Sequence, residues 1–206
     1  MRLRDNFEYT DRAVSYIDKQ IISRFSRLKS ILSFDEINSM TVIDQVNEVY
    51  EYINKTVRKV YLLLANKLYR ENVQRKKDLK SLDEEWVDRI LAACDPVTMY
   101  AFDREIDRKA ARCIESILAS KANAAEIDRA MRAIAYQCRM YADRVTDEAV
   151  MQAYEHDNVK KVRWRAENDT KTCKICESRD GKIYPIDKVP ADPHPLCRCW
   201  RERING

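Results

Sequence analysis

The chain has 206 residues, 35% of them charged and 45% hydrophobic, and a formal net charge of +4. That length fits one ordinary domain, or one domain with a small appendix, and the composition excludes a disordered polymer and a membrane-embedded chain. Glycine occurs twice and proline five times, with Pro185, Pro190, Pro193 and Pro195 all near the C-terminus, so the first three quarters hold almost no breakers and favour long helices.

In chain order, Met1 to Asp5 carries charge with no apolar run behind it, which is not a secretory signal and points to folding in a reducing cytoplasm. A helix is expected over 5–30. Ser33-Phe34-Asp35-Glu36 reads as a capping box that opens a second helix. On it Val42, Val46, Val49, Ile53, Val57, Val60, Leu64 and Leu68 recur at steps of three and four, an apolar seam on a helix about 40 residues long. The seam suits packing against helices 5–30 and 97–120 of the same chain, with a helix of another chain as the alternative. Arg70 to Lys80 is polar and reads as the helix end and a connector.

Ser81-Leu82-Asp83-Glu84 repeats the capping box and opens a short amphipathic helix with Trp86 and Ile90, closed by Cys94. Pro96 suits the first turn of a helix over 97–120, with Met99, Phe102, Ile106, Ala110, Cys113 and Ile117 on one side. Asn123 caps a helix over 124–144, with Ile127, Met131, Ile134, Cys138 and Tyr141 on its stripe. Cys94, Cys113 and Cys138 read as core cysteines, which behave as small hydrophobes. The densest apolar run, Tyr61 to Ala65, is far short of the roughly 18–20 residues a membrane span needs.

The pattern changes after His156, which ends a helix. Val162 and Trp164 alternate with charges as in a short strand; Asp180-Gly181 marks a tight turn, Lys182-Ile183-Tyr184 a return strand, and Cys197 to Arg203 a third. The fold expected is mainly α: a long-helix bundle over 1–157, followed at 158–206 by a small α+β, zinc-knuckle-like hairpin module. Residues 156–206 carry the whole net charge of +4, and the rest of the chain balances to zero.

The chemistry concentrates in that module. Cys173-Lys174-Ile175-Cys176 is a C-x2-C, and His194-Pro195-Leu196-Cys197-Arg198-Cys199 is an H-x2-C with one more cysteine two residues on. An x2 spacing lets one turn aim two side chains at a point, and two such turns supply the four soft donors of a tetrahedral zinc. Cys173, Cys176, His194 and Cys197 are the expected ligands. Cys199 is the alternate: were 197–199 a strand, both thiols would leave the same face, and Cys199 would replace Cys197 or His194. A redox C-x2-C, a pair of disulfides and a metal-free cluster of reduced thiols are the competing readings. Nothing suggests catalysis. The H-x-E and P-C-x-x-C pattern of zinc deaminases is absent, His156 and His194 are the only histidines, and there is no phosphate-binding glycine loop. A structural zinc ion would hold together a segment too short to bury its own core.

The run Val162-Arg163-Trp164, Asp169, Cys173-x-x-Cys176, Asp180-Gly181-Lys182 and Pro193-His194-Pro195-Leu196-Cys197-Arg198-Cys199 resembles the C-terminal signature of the phage Mu F-like minor head proteins, the head morphogenesis family. Arg144, Thr146 and Glu148 match the Arg-x-Thr-x-Glu pattern that precedes it, so the resemblance covers roughly residues 125–203. It implies a minor capsid protein of a tailed phage, made in the host cytoplasm and located in the virion, in the capsid interior or near the portal. It implies as partners the portal protein and the major capsid or scaffold proteins, with no membrane, small-molecule substrate or enzymatic role. An alternative is a DNA-binding zinc module acting on packaged or ejected double-stranded DNA. Lys171, Lys174, Arg198, Arg201 and Arg203 are then the candidate phosphate contacts.

Overall fold

The computed structural model describes residues 3–33, 38–77, 79–94, 100–120, 124–170, 172–194 and 196–204, with side chains from residue 6 onward. The capping residues placed at Phe34 to Glu36, Pro96, Met99, Asn123 and the candidate phosphate contact Lys171 lie outside the described residues. Five helices run in order: α1 (Leu3–Ile31), α2 (Ser39–Asn72), α3 (Glu84–Ala92), α4 (Phe102–Ala119) and α5 (Ala124–His156). The module follows, with β1 (Lys161–Arg165), a sixth helix α6 (Lys174–Arg179), β2 (Ile183–Pro185), a single 3-10 turn (Ile186–Lys188) and β3 (Trp200–Arg203). The chain is therefore mainly helical, with a small antiparallel sheet at its C-terminal end.

The seam on α2 is buried within the chain. Val42, Val46, Val49, Ile53, Val57, Leu64 and Leu68 are buried, Val60 is partly open, and Tyr61 beside it is fully buried. α1, α2 and α5 pack mutually, and α4 lies against α2 and α5. α1 contributes Val14, Ile17, Ile21, Phe25 and Leu28, and α5 contributes Ile127, Ile134, Cys138, Tyr141, Val145 and Ala149. Each fully buried aliphatic or aromatic side chain contributes about 1.5–3 kcal/mol, so this one cluster dominates the stability. Some polar groups buried in the bundle are paired, whereas the Tyr50 hydroxyl and the Gln137 amide nitrogen are not. Thr10 and Thr146 hydroxyls meet at 2.7 Å, and the Tyr61 hydroxyl donates to the Cys138 carbonyl.

Several boundaries differ from the sequence reading. α2 begins at Ser39, because Asn38 accepts the Thr41 N–H at 2.8 Å and does the capping. Likewise Asp83, not Ser81, caps α3 by accepting the Trp86 N–H at 2.9 Å. α4 starts only at Phe102, without a side-chain cap but with Asp103 and Glu105 in its first turn, where acids suit the helix dipole. α5 runs past 144 to His156, burying Val145, Ala149, Val150, Ala153 and Tyr154 on the way. Cys113 and Cys138 are core residues as expected, whereas Cys94 lies beyond the end of α3 and is exposed.

The sheet has strand order β2-β1-β3, all antiparallel. Gly181 adopts φ 75°, a left-handed conformation that glycine takes without strain, and so turns the chain into β2. The inner face of β1 carries Val162 and Trp164. Val162 packs with Val150 and Tyr154 of α5, and Trp164 packs with Cys176, Cys197 and Cys199. Strand β3 starts at Trp200, so residues 197–199 lie in the connection before it.

Candidate metal centre

The loop between β1 and β2 builds the first half of the centre. Asp180 accepts the Ala166 N–H at 2.9 Å and the Asn168 amide at 3.0 Å, closing the base of the loop. Asp169 and Thr172 form a tight turn through Thr172 N–H to the Asp169 carbonyl at 3.0 Å. Cys173 is then the N-cap of α6: its sulfur accepts the Cys176 N–H at 3.4 Å. A cap one turn ahead of Cys176 aims both sulfurs to the same side of a six-residue helix, which is how the x2 spacing is realised.

The second half is the connection from Val189 to Cys199, which reverses at Leu196 with φ 56°. It brings His194 Nε2 to 3.8 Å and Cys197 Sγ to 3.4 Å from Cys176 Sγ. Two groups of donor atoms result, Cys173–Cys176–His194 and Cys176–Cys197–Cys199, each with all its atoms within 4.8 Å of one another. Cys176, buried, belongs to both. All seven cysteines are free thiols, so the disulfide reading does not describe this arrangement. The group can hold a metal ion.

Two cavities adjoin the donor groups. A cavity of about 30 Å³ is lined by Cys173, Cys176, His194 and Cys199, together with Glu167 and Arg198. Cys197 and His194 line a groove of about 460 Å³ between α5 and the module, beside Asp143, Asp147 and Asp192.

The thiols tune one another. The Cys199 thiol donates to Cys197 and holds the Cys197 pKa down to about 6, while the same contact pushes Cys199 up. Burial pushes Cys176 up to about 12, and the Cys176 N–H holds Cys173 down. The buried indole N–H of Trp164 has no oxygen partner and approaches the Cys199 sulfur. Thiols crowded in this way share protons because several adjacent thiolates repel, and a divalent cation removes that repulsion.

The basic residues separate into two sets. Lys174 and Arg198 are exposed, with Arg198 paired to Asp169 at 2.5 Å. Arg201 and Arg203, suggested by sequence as phosphate contacts, point inward. Arg201 is 7% exposed, bonds Asp147 at 2.7 Å and Asp192 at 2.8 Å, and stacks its guanidinium 4.4 Å from the Trp164 ring centre. Arg203 bonds Asp157 at 2.9 Å and the Asn72 carbonyl at 2.5 Å. These arginines fasten the module to α5 and to the end of α2, a role that no local motif announces because Asp147 and Asn72 are distant in sequence. His156 lies edge-on to Tyr69 and 3.4 Å from Asp157, outside the thiol group.

Fold and centre together define a helical bundle carrying a small Cys/His module whose donors converge. No family model matches the chain, and no curated protein and no solved structure matches it. No helix among the described residues is long and apolar enough to cross a membrane.

Proposed function

We propose that the chain is a minor head protein of a tailed phage and that one structural zinc ion stiffens its C-terminal module. The observation that carries the metal is the convergence of both halves of the motif on Cys176, with every thiol free. Zinc bound to sulfur at about 2.3 Å and to imidazole at about 2.0 Å spaces its donors about 3.5–3.8 Å apart in a tetrahedron. The Cys176 contacts of 3.4 Å to Cys197 and 3.8 Å to His194 lie close to that range. Sulfur-rich sites with one imidazole select zinc over magnesium or calcium, which prefer oxygen.

Cys173, Cys176 and His194 supply three of the ligands in this reading, and Cys197 or Cys199, both grouped with Cys176, supplies the fourth. The remaining thiol stays hydrogen-bonded beside them. Four protein donors leave no open coordination position, so the ion in this reading is structural rather than catalytic. The phage reading is supported by the Cys/His signature and the Arg144, Thr146 and Glu148 pattern. It makes the portal protein and the major capsid or scaffold proteins the partners of the helical body.

Elemental analysis of untagged protein tests the metal: one zinc per chain is expected, lost in Cys176→Ser, and loss in only one of Cys197→Ser and Cys199→Ser identifies the fourth ligand. Substoichiometric zinc in the wild type would remove the metal. Immunodetection in purified phage particles tests the setting, and absence from the particles removes the head-protein reading while leaving the zinc intact.

A further inference from the structure

The fold sorts the basic excess of residues 156–206 by direction. Arg201 and Arg203 are consumed in ion pairs with Asp147, Asp192 and Asp157. A second set of cations lines β1. Val162 and Trp164 face the metal group and α5, so the period-two alternation of a strand turns Lys161, Arg163 and Arg165 to the opposite face.

Residues directly opposite in a ladder share a face. Lys161 lies beside Pro185, Arg163 between Ile183 and Glu202, and Arg165 beside Trp200. The outer face of the sheet therefore presents three cations, two aliphatic side chains, one indole and one carboxylate. Ile183 is 50% exposed, and the Arg163 and Arg165 side chains are 39% and 42% exposed. Glu202 lies 3.4 Å from Arg163 and 3.8 Å from Arg165, an exposed contact that salt screens and that holds neither arginine firmly. Trp200 is half-buried, with its indole N–H turned inward, so it offers this face part of its ring rather than a donor.

Cations two residues apart on one strand stand about 6.8 Å apart, so the row spans about 14 Å. Such a row follows the run of phosphates along one nucleic-acid strand, and a neighbouring aromatic is the usual companion of cations in sequence-tolerant binding. We propose that the outer face of this sheet binds nucleic acid through its phosphodiester backbone, with Lys161, Arg163 and Arg165 neutralising three phosphates beside Trp200. The surface faces away from the thiol group, and the inference stands or falls apart from the phage assignment and from the identity of the metal.

The test is an anisotropy titration of the full chain with a labelled mixed-sequence DNA duplex and with its single strand, over a range of salt. Three neutralised phosphates give a slope of about −2.7 in log affinity against log salt for the duplex and about −2.1 for the single strand. Between about 50 and about 200 mM salt that is a loss of about 40-fold and about 20-fold respectively. Replacing Lys161, Arg163 and Arg165 together by Gln should remove the slope with circular dichroism unchanged. Glu202→Gln should instead tighten binding about twofold to fivefold by freeing two arginines, and it decides the matter if the triple variant misfolds. Trp200 emission should respond to DNA, since Trp86 and Trp164 are buried. Absence of binding at about 50 mM salt, a triple variant that binds like the wild type, or a Glu202→Gln protein that binds no tighter would each overturn the proposal.

Discussion

Replacing Arg201 by Met keeps the length and the packing of the side chain over Trp164 but deletes its charge. Asp147 and Asp192 then lose their shared partner at 2.7 and 2.8 Å and face each other across the groove. Removing one member of a buried ion pair costs about 3–5 kcal/mol. Here the two carboxylate side chains are 29% and 28% exposed, so water recovers part of the loss and the expected cost is about 3 kcal/mol. For a chain of this size that lowers the midpoint of melting by about 6–12 °C. Guanidinium unfolding followed by near-ultraviolet circular dichroism, which senses Trp164, measures it. Burial raises Asp147 well above its ordinary value of 3.8, with Arg201 opposing. A carboxyl raised on folding is penalised only above its unfolded pKa, increasingly as pH climbs to the folded value, so the deficit of the variant should be smaller at pH 4 than at pH 7. Adding Asp147→Asn should restore about half of the loss. A cost under about 1 kcal/mol for Arg201→Met would refute the view that this arginine clamps the module to α5.

Cys176→Ser removes the sulfur common to both donor groups, and zinc should be lost. Residues 165–203 should become protease-sensitive while the helical signal largely persists; collapse of all helices together would show that the module and the bundle fold as one unit. Ile53→Ala on α2 deletes a fully buried side chain from the main cluster and should cost about 2–5 kcal/mol in chemical denaturation, with a cost below about 1 kcal/mol placing the seam outside the core. Burial works against the charge of Asp157, but the Gln74 and Arg75 N–H groups, Arg203 and His156 together hold its pKa at about 2. A carboxylate lowered on folding stabilises above its unfolded pKa near 3.8 and loses that contribution as pH falls through about 2, so Asp157→Asn should cost up to about 2 kcal/mol at pH 6 and nearly nothing at pH 2.

The α2 seam, the Cys113 and Cys138 stripes and the β1 alternation were legible because each is a local period of apolar residues, and burial follows such periods directly. Cap choice was less legible. Ser81 and Asp83 both offer an oxygen to a nearby N–H, and which one caps depends on where the arriving chain crosses, which tertiary packing decides. The centre was legible as a spacing in Cys173, Cys176, His194 and Cys197, with Cys199 as the alternate, but the packing of Cys197 and Cys199 together against Cys176 was not. It depends on the reversal at Leu196, which no local period announces. Arg201 and Arg203 read as surface charges because their acidic partners Asp147 and Asp157 lie more than forty residues earlier.

Helix α5 serves two structures with one rod. Its first six turns put Ile127, Ile134, Cys138 and Tyr141 into the bundle, and its last three put Val150 and Tyr154 under β1 and Asp147 against Arg201. At about 1.5 Å and 100° per residue, the helix acts as a spindle that fixes both the reach and the bearing of the module. One residue inserted between Ala142 and Val145 would swing the tip about 100° around the bundle. Seven inserted residues would lift it about 10 Å yet return it to within about 20° of its original bearing. Natural length variation in that stretch should therefore come in whole heptads.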